Sequence, residues 1–278
     1  MEQAMPPEDY EVIVVDNAST DDTKRVVRDL MKEFPNIKYI YEPNLGLPNA
    51  RNRGIREARG EVVAFLDDDC LVQPGWMRSL LRHYANPKVG GVGGMGLAPG
   101  KEPRREGTVG GISHLGTPIG SFNILTPGPM EVEHLRGYNM SFRREILLRL
   151  GGFDPRYNGF NLREDTDMCV RVRRAGYKLI YDPNTLVIHL YAPKGACGRD
   201  DRASKPYRFS VAKNTTYFRL KHFLSPLTLL SLLILGPMRV FCDALRGRHS
   251  LSLSWIDLRG RLAGVRTYLI GLREERYG

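Results

Sequence analysis

The sequence predicts an α/β fold built on a parallel sheet, and three observations carry that prediction. Short apolar runs end on carboxylates, segments of helical period separate them, and Gly or Pro stands at the joints. Residues 11–16 (EVIVVD) read as a buried strand, because four apolar side chains in a row suit a strand covered on both faces. Ser19 is placed to cap the following helix, with Asp22 three residues on as an approximate capping box. Val26, Val27, Leu30, Met31 and Phe34 then fall on one helical face, and Pro35 closes the segment. Residues 37–41 form a second strand, 48–58 a helix and 62–66 a third strand.

Residues 87–135 change character. Gly and Pro crowd the stretches GGVGGMGLAPG, GTPIG and LTPGPM, so short strands joined by long loops are expected there. Helices return at 143–150, closed by Gly151-Gly152, and at 164–175, closed by Gly176. Residues 178–181 and 186–188 read as late strands. A compositional break near Ser204 divides the chain into 1–203 and a basic, aliphatic helical region, 204–278.

Charge follows the same division. Of 41 Lys and Arg and 31 Asp and Glu, residues 1–200 hold 27 and 26, whereas residues 201–278 hold 14 and 5. The net +10 therefore belongs almost wholly to the last 78 residues. That distribution, with no aromatic platforms in the basic part, argues against a nucleic-acid binder. Cys70, Cys169, Cys197 and Cys242 are widely spaced, which fits a reducing cytosol better than a disulfide framework or zinc site. The N-terminal MEQAMPPEDY lacks the apolar run of a signal peptide.

In open α/β sheets, ligands bind beyond the carboxyl ends of strands. Asp16 stands at one such end, and Asp67, Asp68 and Asp69 at another. Three consecutive carboxylates repel one another unless a cation sits among them, and an oxygen-rich set suits Mg2+ or Mn2+. A second acidic group, Glu164-Asp165-Thr166-Asp167, opens a helix, where carboxylates suit the helix dipole and can also take a proton from a hydroxyl.

EVIVVDNASTDDT, NLGLPNARNRGIREARGEVVAFLDDDCLVQPGW and GYNMSFRRE, followed by GGFD and NLREDTDMCVRVRRAGYKLIYDP, together resemble the family 2 glycosyltransferases with a GT-A fold, a Rossmann-like mixed sheet. The likeness covers roughly residues 8–192. It implies that Asp16 bonds the nucleobase of a sugar nucleotide and that Arg51 lies near the nucleotide and its phosphates. Asp67, Asp68 and Asp69 match a DXD-type motif, with Asp68 toward the ribose and Asp69 on the metal. His189 falls where many relatives place a metal-proximal His. Asn139 lines the donor-sugar and acceptor region, and Asp165 matches the catalytic base.

The resemblance thus implies an inverting transferase moving a sugar from a UDP-, dTDP- or GDP-linked donor to a glycan or lipid-linked hydroxyl acceptor, with Mn2+ or Mg2+, in cell-envelope polysaccharide or glycolipid synthesis. A nucleotidyltransferase of similar fold and a truncated, inactive binding protein are the alternatives. The family normally opens with a strand and helix ahead of the point matching Tyr10, so the catalytic domain is expected to be short of its first strand. Phe223 to Met238 carries no charge but, at sixteen residues with two prolines, falls short of the ~20 of a spanning helix. Flanked by Arg219, Lys221, Arg239, Arg246 and Arg248, it is expected to lie at the membrane surface, placing the protein peripherally on the cytoplasmic face.

Overall fold

A computed structural model describes residues 5–160, 162–191, 204–235, 238 and 251–277. The chain forms two compact units. One comprises Met1–Gly111, Ile119–Pro155 and Glu164–Tyr191; the other comprises Ile112–Pro118, Arg156–Arg163 and Ala192–Gly278. The compositional break near residue 203 falls beside 192–203, outside the described residues, as do Cys197 and Cys242.

The first unit alternates strands and helices as expected: β1 (Val12–Asp16), α1 (Thr23–Glu33), β2 (Ile37–Tyr41), α2 (Leu47–Glu57), β3 (Val62–Leu66), β4 (Cys70–Val72) and α3 (Trp76–Leu81). They are followed by β5 (Val89–Leu97), the two-residue strands β6 (Gly111–Ile112) and β7 (Pro118–Ile119), β8 (Met130–Val132) and β9 (Asn139–Arg143). The unit ends with α4 (Arg144–Arg149), α5 (Glu164–Arg174) and β10 (Lys178–His189). The central sheet is mixed rather than wholly parallel. Its order is β3-β9-β5-β10-β4, with β8 also on β10, and only β5 and β10 run parallel. β1 and β2 make a separate parallel pair.

Three local expectations differ from the structure. α1 begins after Asp22, which makes no side-chain cap bond, and the Ser19 N–H instead donates to Asp16 Oδ1 at 2.8 Å. The Gly-rich segment holds the expected short strands in β6, β7 and β8, but it opens on one nine-residue strand, β5, buried throughout. Its glycines serve close packing: a Cβ at Gly94 would lie 1.9 Å from the Thr185 carbonyl oxygen, and one at Gly96 would lie 2.3 Å from the Tyr138 ring. The two late strands are one, β10, with a register shift between Asp182 and Val187.

The core of this unit gathers Phe142, Met140, Ile146, Leu147, Phe153 and Leu179 between the sheet and its helices. α2 serves both sheets, because Gly54 lies against Val15 of β1 while Ile55 enters the core. Among the described residues β1 pairs only with β2, and β3 only with β9. Neither strand has a fully buried apolar side chain, and Val12 and Leu66 are 40% and 41% exposed.

The second unit is helical: α6 (Lys205–His222), α7 (Pro226–Leu230), a single π turn (Ser231–Leu235) and α8 (Leu251–Tyr277). Ser225 caps α7 with Pro226 at its first turn, as the sequence predicts, and Ser204 caps α6. Glycines on α8 bring it against α6, where a Cβ at Gly260 would lie 2.6 Å from the Phe209 carbonyl oxygen. No described helix is long and apolar enough to cross a membrane.

Candidate active site

Asp16 closes β1 and is 5% exposed. Burial alone would raise its pKa, but the Tyr39 hydroxyl (2.6 Å) and the Ser19 N–H donate to the carboxylate and hold it below the ordinary range. The same bond pushes the Tyr39 phenol up to about 12. Asn17, next in line, ties β1 to the β2–α2 loop: its Nδ2 donates to the Glu42 and Asn44 carbonyls and its Oδ1 accepts from the Gly46 N–H.

The three aspartates after β3 form a turn whose ends are anchored in the backbone. The Cys70 N–H donates to the Asp67 carbonyl and the Leu190 N–H to the Asp69 carbonyl. Antiparallel pairing of β4 with β10 sets Cys70 directly opposite His189. This register brings His189 Nε2 to 3.0 Å from Asp69 Oδ1. Donor atoms of Asp69, Cys70 and His189 all lie within 4.8 Å of one another, and His189 Nδ1 is buried without a hydrogen-bond partner. A carboxylate oxygen and an imidazole nitrogen this close can share a divalent ion, and the neighbouring Asp67 and Asp68 make the surroundings oxygen-rich. Tyr191 stacks on the imidazole at 4.1 Å and Tyr138 packs at 5.0 Å, fixing its plane. Asp68 is exposed; Asp67 is half-buried, and desolvation raises its pKa against the opposing pull of Arg51.

The Glu164-Asp165 pair opens α5. Glu164 is 4% exposed and receives Arg51 Nη1 on its Oε1 at 3.0 Å, while its Oε2 is buried without a partner. Burial, reinforced by the Asp165 charge, pushes its pKa up to about 7. Asp165 is held below the ordinary range despite its own desolvation, through Arg136, Arg51 and the Thr166 N–H at 2.6 Å. The Gly137 N–H also donates to Asp165 Oδ2 at 3.2 Å.

Two expected site residues face inward. Arg51 is 7% exposed; its guanidinium stands over the Phe153 and Phe65 rings at 5.2 and 5.8 Å and donates to Glu164 and to the Gly137 carbonyl. Asn139 is fully buried. It accepts from Trp76 Nε1 and donates to the Met95 and Thr185 carbonyls, tying the start of β9 to α3, β5 and β10. The sequence names Glu164 only within its acidic group and gives no separate role to Gly137, Tyr138 or Tyr191. Backbone strain marks the same places: the three non-glycine residues with positive φ among those described are Ala18, Arg163 and Tyr191, each two positions from Asp16, Asp165 or His189.

The model of the family described as "Glycosyl transferase family 2" matches residues 1–147. The pre-mycofactocin glycosyltransferase of Mycobacterium tuberculosis is 30% identical over 183 residues, 64% of this chain and 37% of that protein. The validoxylamine A glucosyltransferase of Streptomyces hygroscopicus is 39% identical over 104 residues, covering 37% of this chain and 22% of the relative. The chain thus spans well under half the length of these two curated relatives. Among solved structures, a mannosyltransferase of Pyrobaculum calidifontis in complex with GDP-Man and Mn2+ superposes with a TM-score of 0.56 at 19% identity, covering 96% of this chain and 80% of the other. GalNAc-T7 with UDP, GalNAc and Mn2+ gives 0.57 at 18% identity, covering 77% and 44%. These two likenesses show the GT-A fold.

Proposed function

Since this chain belongs to glycosyl transferase family 2, we propose that it moves a sugar, with inversion, from a nucleoside-diphosphate donor to a hydroxyl acceptor. The observation that carries the reading is the Asp69–His189 pair, 3.0 Å apart beside an unsatisfied buried imidazole nitrogen, at the carboxyl end of β3. Asp69 and His189 would hold a divalent ion, Mn2+ or Mg2+, which when bound stabilises the diphosphate leaving group. Solved relatives of the fold carry Mn2+ with GDP-Man or UDP, in support of this choice.

The chain's own residues do the remaining work. Asp16, kept ionised by Tyr39 and Ser19, accepts from the N–H of the nucleobase. Asp67 and Asp68 face the nucleotide, Asp68 toward the ribose. Asp165, ionised beside Arg136 and Arg51, takes the proton of the acceptor hydroxyl as that oxygen attacks the anomeric carbon opposite the leaving diphosphate. One displacement of this kind inverts the anomeric centre. The reading admits UDP, dTDP and GDP donors alike, since the carboxylate of Asp16 can accept from the N–H of uracil, thymine or guanine.

The second unit supports a reading of the acceptor class. Leu220, Leu224, Leu229, Leu232, Val265, Tyr268 and Leu269 line a wholly apolar cavity of about 170 Å3, and Leu227, Ile234, Trp255 and Leu262 are exposed nearby in sequence. With a net charge of +9 over residues 201–278, this surface suits anionic lipid and a lipid-linked or envelope-glycan acceptor at the cytoplasmic face of the membrane. A relative of Haloferax volcanii, 25% identical over 66% of this chain, is a glucosyl-dolichyl phosphate glucuronosyltransferase. The open edges of β1 and β3 support a catalytic domain, residues 1–203, that takes one more strand between them.

The test is Asp165→Asn in the full chain against a panel of UDP-, dTDP- and GDP-sugars with Mn2+. Loss of transfer with donor binding retained is the expected outcome. Near-normal turnover would remove Asp165 from the role of base.

A further inference from the structure

The NARN segment is the part of the sequence motif set that the proposed reaction leaves idle, and the structure gives its arginine an unusual setting. Arg51 lies on α2, 113 residues from Glu164, yet the two side chains meet inside the unit with 6% and 5% of their surface exposed. Its other nitrogen donates to the Gly137 carbonyl at 3.3 Å, and the amide N–H of the same Gly137 donates to Asp165 Oδ2. One residue therefore links the guanidinium to the second carboxylate as well as the first. A Cβ at Gly137 would stand 2.5 Å from Arg51 Nη2, so a side chain there displaces the guanidinium from this contact. Two phenylalanine rings, Phe65 and Phe153, fix the plane of the guanidinium. The adjacent Asn52 completes the clamp: its side chain exchanges two hydrogen bonds with the Phe153 backbone, both at 2.7 Å.

We propose that Arg51, seated through Gly137, is the positioning residue of the Glu164-Asp165 pair, setting both the orientation and the charge of Asp165 without touching substrate. A buried arginine that bonds one carboxylate directly and the other through a peptide gives α5's first turn a single geometry. It also supplies positive charge where two adjacent acids would otherwise repel. The groups facing Asp165 are Glu164 on its own helix, Arg51 from α2, and Arg136 and His134 from the β8–β9 loop. Arg51 is the member of this set that also bonds Glu164, so its removal changes both acids together.

This inference rests on the reading of Asp165 as base, and the experiment separates the two. The carboxyl carbon of Asp165 is followed by 13C NMR across a pH titration of the full chain, assigned by difference from Asp165→Asn. In Arg51→Met the Asp165 midpoint is expected to rise by about one pH unit or more. Arg51→Lys should recover part of that shift, and Gly137→Ala should move the midpoint the same way. If Arg51→Met does not fold, Arg51→Met in a Glu164→Gln background removes the orphaned charge, and the Asp165 midpoint is then compared with that of Glu164→Gln alone. An Asp165 midpoint unmoved in folded Arg51 and Gly137 variants would overturn the positioning role, whatever the activity of Asp165→Asn. A shifted midpoint alongside normal turnover in Asp165→Asn would keep the positioning role and remove the base.

Discussion

The two acidic groups of the first unit are balanced in opposite ways. Glu164 and Asp165 are braced from inside the protein: Arg51 bonds Glu164 at 3.0 Å, Arg136 lowers the Asp165 pKa, and N–H groups of Gly137 and Thr166 point at its oxygens. Asp67, Asp68 and Asp69 stand on a more open turn, where the His189 imidazole closes on Asp69 and the Arg51 charge reaches Asp67. The first arrangement is preformed, with its cation supplied by the fold. The second gathers oxygen, sulfur and nitrogen atoms within 4.8 Å of one another, the arrangement that the proposed ion needs.

The sharpest break in that comparison comes from removing one member of each group. Asp165→Asn should lower transfer by about 10²–10⁴-fold at unchanged Mn2+ affinity, measured by initial rates and by titration calorimetry. Asp69→Ala and His189→Ala should do the reverse first, weakening Mn2+ binding by about 10-fold or more before any effect on Asp165 is read. Loss of metal affinity in Asp165→Asn, or its retention in Asp69→Ala, would erase the distinction between the groups.

A smaller effect lies in pH dependence. Glu164 has its folded pKa raised to about 7 from an ordinary 4.5, so the folded state binds the proton more tightly than the unfolded chain. Stability from this group is therefore full below pH ~4.5 and is lost as pH rises toward ~7, by on the order of 3 kcal/mol at most. Glu164→Gln should flatten that slope in urea unfolding measured from pH 5 to 8. Asp16 and Asp182, whose pKa values are lowered, act with the opposite sign and lose their contribution only under acid conditions. Removing an exposed pair such as Lys178–Glu131 should change stability by less than about 1 kcal/mol.

Much of this was legible in the sequence where the cause is local. β2 and β3 match their expected bounds, 37–41 and 62–66, because apolar runs between turn residues define a strand by themselves. The Asp67-Asp68-Asp69 turn and the Glu164-Asp165 opening of α5 were found in the same way. What the sequence did not disclose depends on distant partners. Arg51 meets a residue 113 positions away, and no spacing rule announces that. β5 looks like loop sequence, since its glycines are there to admit Tyr138, Thr185 and Phe142 from other elements. Asn139 reads as a polar site residue, yet its amide is spent on Trp76, Met95 and Thr185. Ser19 resembles a cap, but its N–H serves Asp16 instead.

The same distinction separates β5 from β1 and β3. β5 is buried along its whole length, while Val12 and Leu66 remain two-fifths exposed on strands with a single partner each. A strand pairing with both should protect their amides from hydrogen exchange.

The central claim is that the strand-end acids and His189 hold the ion on which nucleotide binding depends. Titration calorimetry of UDP and GDP into the full chain, with Mn2+ and with EDTA, tests it most directly. Binding of at least one nucleotide with Mn2+ is expected, lost in EDTA and in Asp69→Ala and kept in Asp165→Asn. Nucleotide binding of equal affinity in EDTA, or undiminished in Asp69→Ala, would contradict it.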